Sequence, residues 1–307
     1  MPFRFKASDK SVRAAFRRLA QERLETALTQ TRDPTLSVHS LRKRIKELRG
    51  LLRLHRPVFD DFDRVNRRLR DIARIIAPAR DTEVMLTTVT TLARDMAPTP
   101  ADGPAPVADH ELDAVIRALQ KRLDRSLSAS AMDPVLQVTA DGLNALLHEV
   151  PGWKLNAKGF DAVAPGLEQT LARSRRHLHE ARRQLDREFD ATPFHEWRKH
   201  VKHHWYHARL LKPVWPAMMV PHISAADELG EVLGDHNDLD VALTHLIATQ
   251  QAQHPQAVAR LYRAGMLRRR VLAQRAVGIG ARLFADRPET ICRRWGTWWQ
   301  EWKADRA

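Results

Sequence analysis

The chain has 307 residues, 43% hydrophobic and 29% charged, so it is globular rather than disordered and long enough for two modest domains or one large one. A formal charge of +14, clustered rather than spread, calls for a polyanionic partner: nucleic acid, an anionic membrane or a phosphate polymer. The single cysteine, Cys292, excludes an intrachain disulfide and a cysteine-rich zinc site, and no stretch reaches the ~18 uninterrupted apolar residues that a membrane span needs.

The opening MPFRFKASDK lacks the apolar core of a signal peptide, so a soluble cytoplasmic protein with no membrane partner is expected. Glycine is scarce at 12 residues, and it costs about 1 kcal/mol per helical position relative to alanine. No run alternates apolar and polar residues in the manner of a strand. The predicted fold class is all-α.

Ser8 or Asp9 can cap a first helix running to about residue 30, with Val12, Phe16, Leu19, Leu24 and Leu28 at helical spacing. Asp33-Pro34 breaks it. A second helix, about 35–55, ends at Pro57. A third, about 58–77, is stopped by Pro78, and a fourth begins at Arg80-Asp81. APTPADGPAPVAD (97–109) reads as a loop. Helices at about 110–131 and 134–150 close the first half. The second half opens with a long arginine-rich helix (160–190) and a basic helix that tolerates Pro193 in its first turn. Pro213, Pro216 and Pro221 predict a turn before a helix at about 223–233, which leads into GDHNDLDVAL. Helices at about 255–285 and 288–302 end the chain. In the last, Trp295, Trp298, Trp299 and Trp302 read as core rather than as a base-stacking platform.

Two stretches repeat. VHSLRKRIKELRGLLRLHRP (38–57) aligns with FHEWRKHVKHHWYHARLLKP (194–213) at an offset of 156, which superimposes His39 on His195, Arg42 on Arg198, Lys43 on Lys199, Lys46 on Lys202 and Arg53 on Arg209. At an offset of 157, Arg80-Asp81 falls on Asn237-Asp238. A duplicated helical unit accounts for both, and predicts two similar bundles, 1–152 and 153–307, related by a pseudo-twofold.

In the first copy His39, Arg42, Lys46, Arg49 and Arg53 are spaced 3, 4, 3, 4, which puts them on one helix face in a stripe roughly 21 Å long. Leu41, Ile45, Leu48 and Leu52 face the core. In the second copy His195, Arg198, Lys202 and Arg209 form the stripe, with Lys199 beside it and Trp205 where Arg49 would be. Like charges this close repel, and an extended anion on that face offsets the repulsion. Phosphate suits the residue types, because arginine bonds it bidentately and lysine offers a compact charge. Histidine beside phosphate adds charge near neutral pH, which predicts weaker binding above about pH 7.5. Arg268–Arg270 with Arg275, and the arginines of 173–183, could widen the basic surface.

The blocks VHSLRKRIKELR, ARDTEVM, FHEWRKHVKHHWYH and LGDHNDLDVA together resemble the two halves of a CHAD domain, a histidine-containing α-helical domain family. The resemblance covers about residues 8–302. It implies two helical bundles, no catalytic activity, and binding of inorganic polyphosphate on a basic surface between the bundles, with attachment to polyphosphate granules as one possible use. By position it implies His39, Arg42, Lys46 and Arg49 in the first motif and His195, Arg198, Lys199, Lys202 and Tyr206 in the second. The Glu-x-Glu-x-Lys of the triphosphatase domain joined to some relatives does not occur here.

Two other readings use the same residues. A nucleic-acid backbone binder would use the same charge, but no helix-turn-helix, RNA-recognition motif or zinc finger is present, and aromatics are only 6%. The histidines His200, His203, His204 and His207 pair at i, i+4 as metal ligands can. Adjacent cations and the lack of a carboxylate within the cluster disfavour a metal, and no cofactor is expected. No GxxxxGK[ST] phosphate loop occurs. Asp81 and Asp238 are expected to start helices as N-caps, or to orient arginines of the stripe.

Overall fold

The computed structural model describes residues 2–32, 38–96, 110–185 and 192–305. Ser11 is extended (φ −161°, ψ 164°), and its hydroxyl oxygen accepts from the Ala14 amide at 3.1 Å, capping α1 (Val12–Thr31). The cap was expected at Ser8 or Asp9. Asp9 accepts instead from Arg18 Nε at 2.8 Å and from the Lys6 amide at 2.7 Å.

Then follow α2 (Val38–Leu54), α3 (Phe62–Ile75), α4 (Ala77–Asp95), α5 (His110–Leu127) and α6 (Ala129–Glu149). After them come α7 (Ala164–Gln184), α8 (Thr192–Leu211), α9 (Pro216–Gln250), α10 (Pro255–Leu283) and α11 (Pro288–Ala304). All regular structure among the described residues is helical, as the composition predicts. The expected Asp33-Pro34 break and the 97–109 loop lie outside the described residues.

Two proline expectations need correction. Pro78 sits in the first turn of α4, where a missing N–H costs nothing, and the break falls at Ile76 (ψ 1°). Pro221 does not end a turn: α9 runs unbroken through it for 35 residues. Pro221 lies early in that helix, so a single ladder bond is missing. One long helix in the second half therefore occupies the sequence positions of two helices, α3 and α4, in the first. Pro134 is likewise carried inside α6.

α1 packs on α2 and α6, and α4 on α5. α7, α8, α9 and α10 are successive neighbours. The two groups meet where α2 crosses α8 and where α4 lies on α9 and α10. The buried apolar residues form a continuous core across the expected 152/153 boundary. Phe16, Phe59 and Trp153 meet with ring centroids 5.2–5.4 Å apart. The chain's beginning crosses over too: the Phe5 amide donates to the Leu210 carbonyl at 3.0 Å, and its ring meets Trp299 edge-on at 5.3 Å.

Two glycines set the helix crossings. A Cβ on Gly166 would lie 1.9 Å from the Leu54 carbonyl oxygen, so only glycine lets α7 rest on the end of α2. A Cβ on Gly50 would lie 2.8 Å from Tyr206 Cβ, so Gly50 lets α8 approach α2 at mid-length. Trp295 and Trp299 are buried, as expected for core, with Trp298 and Trp302 packed partly against them.

Candidate polyanion-binding cleft

The crossing of α2 over α8 brings the two basic stripes together. Leu41, Ile45, Leu48 and Leu52 are buried beneath α2, so helical spacing turns Arg42, Lys46 and Arg49 outward. On α8, burial of Phe194, Trp197 and Val201 does the same for Arg198 and Lys202. Arg42, Lys46, Arg80, Asp81, Arg198, Asn237 and Asp238 line an open cleft of ≈ 300 Å³ between α2 and α4 on one side and α8 and α9 on the other. Gly230 on α9 makes room for Lys202, whose Cε would lie 2.7 Å from a Cβ at that position.

Four cations line this cleft and Lys202 adjoins it. Arg42, Arg80 and Lys202 have carboxylates within reach (Asp81 at 3.7 Å, Glu83 at 2.9 Å and Asp227 at 3.2 Å), whereas Lys46 and Arg198 pair with none among the described residues. Burial, then Arg198, Arg42, Arg80 and Lys202, pull the Lys46 ammonium down to about 8, although its tip still reaches solvent. Arg42 is also lowered, chiefly by burial, with Asp81 acting the other way from 3.7 Å. Arg42 Nη1 and Arg198 Nε are buried donors with no hydrogen-bond acceptor among the described residues. Lys202 reaches Asp227 at 3.2 Å and stacks over the Trp205 ring at 4.8 Å. Trp205, standing where a basic residue was expected, thus braces cations instead of replacing one.

The remaining predicted residues are placed unevenly. His39 and Lys43 are exposed at the start of α2. Burial, Arg80 and Lys46 lower His39, with Glu83 acting the other way. His195 is exposed and hydrogen-bonds Asn237 through Nδ1. Lys199 pairs with Glu196 at 2.6 Å. Tyr206 is buried in the crossing, where burial raises its hydroxyl, and it has no access to the cleft. Arg209 faces away: it pairs with buried Glu47 at 3.4 Å and lies over the Trp205 ring at 4.6 Å.

Arg49 and Arg53 belong to a second cationic group. Arg49 donates to Asn66 Oδ1 at 3.1 Å. Burial, then Arg49, Arg56 and Arg173, bring Arg53 down to about 10, and its Nε has no acceptor. His200, lowered to about 4 by burial, His177 and Arg173, adjoins this group and stacks on His177 at 5.0 Å.

The histidine cluster disperses. His204 Nε2 lies 2.7 Å from His222 Nε2 in the core beside Trp295, and His207 Nε2 lies 3.1 Å from the Gly50 carbonyl oxygen. His203 turns toward Arg53. The i, i+4 pairs thus engage different neighbours, and no group of three metal-binding side chains forms among the described residues.

Asp81 and Asp238 do not start helices. Asp81 lies in the second turn of α4, and Asp238 lies inside α9. Asp81 orients Arg42, as the second expectation held. Asp238 accepts from Asn237 Nδ2 at 3.2 Å, which holds the amide that meets His195. Sequence reasoning left Arg80, Asn237, Arg56 and Glu47 out of the site. The first two stood in matched repeat blocks. Glu47, the lone carboxylate of 38–57, was a visible exception in a basic helix.

The CHAD-domain family model matches residues 10–247. Among solved structures, the CHAD domain from the plant Ricinus communis aligns with a TM-score of 0.54 at 20% identity, covering 93% of this chain and 96% of its own. PptA from Streptomyces chartreusis aligns at 0.57 and 16% identity, covering 88% and 97%. At these identities the two structures bear on the fold alone. No curated protein matches the sequence. The family match spans both basic helices, the α4 and α9 residues that face them and more than half of the sequence: the chain belongs to the CHAD-domain family.

Proposed function

We propose that the chain binds inorganic polyphosphate, without transforming it, along the cleft between α2 and α8. The observation that carries this reading is the set of Arg42, Lys46, Arg80, Arg198 and Lys202, which together with burial, the larger cause, depress Lys46 to about 8, beside buried guanidinium donors that find no acceptor among the described residues. A repeating anion satisfies both deficits at once: it supplies charge to every cation and acceptors to every donor. The Arg53, Arg56 and Arg173 group offers a second foothold for the same polymer. The cleft's charged groups are mostly cations, and its carboxylates Asp81 and Asp238 are engaged with Arg42 and Asn237, which suits holding an anion rather than reacting with one. Membership of the family supports the choice of polymer. Such a ligand would place the protein at cytoplasmic polyphosphate granules.

A recessed line of cations favours a bare chain of phosphates over a duplex, whose phosphates are spread around a wide cylinder. Competition decides between them. Labelled long-chain polyphosphate is expected to stay bound against duplex DNA or RNA at equal phosphate concentration. Displacement by either nucleic acid would transfer the site to that ligand.

Lys46 adds a second source to the pH dependence expected of the histidines. The sequence pointed to histidine charge lost above pH 7.5, but His39 is already lowered and His200 and His207 lie at about 4 and about 3. Lys46, at about 8 when free, also titrates in range. A bound polyanion favours its charged form and raises it, so the complex holds more protons than the free protein near pH 8. Calorimetry there in buffers of different ionisation enthalpy is expected to show proton uptake on binding, and affinity should fall as pH rises past that point. Lys46→Met should remove most of the uptake. Uptake unchanged in that variant would assign the proton to another group.

A further inference from the structure

A different surface carries a second activity. At the corner between α8 and α9 the chain reads WPAMMVP (215–221), and every residue except Met219 is exposed. Trp215, Met218 and Val220 are 45%, 50% and 45% exposed. Six exposed, uncharged residues within one heptapeptide are unusual for a soluble surface and mark a contact site. Pro216 and Pro221 stiffen the segment, so little entropy is lost when it is immobilised. Trp215 leans on Trp298 at 5.0 Å, and the Arg294 guanidinium covers the Trp298 ring at 5.6 Å. Arg294 also reaches Asp286 at 3.5 Å. No aspartate or glutamate occurs between Arg209 and Asp227, while Lys212 does. The corner lies about 30 Å along α9 from the cleft residue Asn237, so the two surfaces can act together.

We propose that this corner is a membrane-contact element, inserting Trp215, Met218 and Val220 among the headgroups of an anionic bilayer while Lys212 and Arg294 meet lipid phosphates. An exposed apolar segment with a tryptophan, flanked by Lys212 and Arg294, fits the bilayer interface, where an indole sits with one end apolar and the other wet. A protein partner would need a matching pocket, and an anionic surface needs only the charge complement seen here. Contact of this kind requires no membrane span, and no helix among the described residues is long and apolar enough to cross a membrane. The proposal departs from the sequence expectation of no membrane partner and does not depend on the polyphosphate reading.

The full chain is to be sedimented with phosphatidylglycerol-containing vesicles and with pure phosphatidylcholine vesicles. Binding is expected to the first and little to the second. Trp215→Ser/Met218→Ser/Val220→Ser should weaken partitioning about tenfold to a hundredfold, from the apolar area no longer buried. Its fold, checked by circular dichroism, should be unchanged because these side chains are exposed. Arg42→Ala/Arg198→Ala, which empties the phosphate cleft, should retain binding. Three results overturn the proposal: equal binding by the serine variant, loss of binding only in the cleft variant, or a dimer that the serine substitutions dissolve, which would make a second copy the occupant.

Discussion

Replacing Arg42, Lys46, Arg198 and Lys202 together by alanine is expected to reduce polyphosphate affinity by at least about a thousandfold, since each charge-assisted hydrogen bond is worth about 1.5–3 kcal/mol. The dependence on salt should change as well. If polyphosphate releases counterions as a single-stranded nucleic acid does, the slope of log K against log salt becomes shallower by about 0.7 for each phosphate no longer neutralised. A variant that loses affinity with its slope intact would have lost shape rather than charge. The fold should persist, because these side chains reach solvent and crowd one another. Lys46 illustrates the sign: its folded value, about 8, lies below its ordinary value, so its charge disfavours the folded state below that pH, and the penalty fades as pH rises toward the unfolded value. Urea unfolding at neutral pH should show the free variant at least as stable as the parent. Undiminished binding would place the site elsewhere.

Glu47→Ala is expected to be the most damaging single substitution near the site, at about 3–5 kcal/mol of stability. Glu47 and Arg23 are 1% and 2% exposed and lie 3.2 Å apart, joining α2 to α1. Arg44 reaches the same carboxylate at 2.6 Å and Arg209 brings in α8 at 3.4 Å. Alanine strands these guanidiniums around an empty space, and Arg23 is too deep to find water. Glu22, 3.7 Å from Arg23, offsets part of the loss. A lower urea midpoint at unchanged slope is the readout. Glu47→Gln, which keeps acceptors but not charge, should cost less, and equal costs would mean packing rather than charge holds this junction. Glu47 thus sits on the far side of α2 from the cleft and fixes the helix that carries the ligand-facing cations.

The sequence revealed the helices and the two basic stripes because both rest on local periodicity. Leu41, Ile45, Leu48 and Leu52 select one face, and Arg42 and Lys46 must then take the other. What opposes that face was not legible, since helical spacing says nothing about neighbours. Arg80 enters the cleft only because α4 lies against α9, and Arg209, at the right spacing on α8, is turned away by Glu47 on another helix. The same limit misplaced Asp81 and Asp238: Pro78 starts a helix and Pro221 sits within one, so each aspartate lies further inside than a cap. The histidines of α8 suggested one cluster because they are adjacent in sequence. Their neighbours, His222, Gly50 and His177, come from three other elements.

Phe3 and Phe5 are buried against side chains made much later: Tyr206 and Trp299. During synthesis they must wait until α8 and α11 have been made before finding their places. Apolar surface on the early helices stays uncovered for that interval, and pairings between distant points in the chain form slowly. Until α11 leaves the ribosome, Phe5 lacks the Trp299 ring that covers it, and molecular chaperones have that interval in which to act.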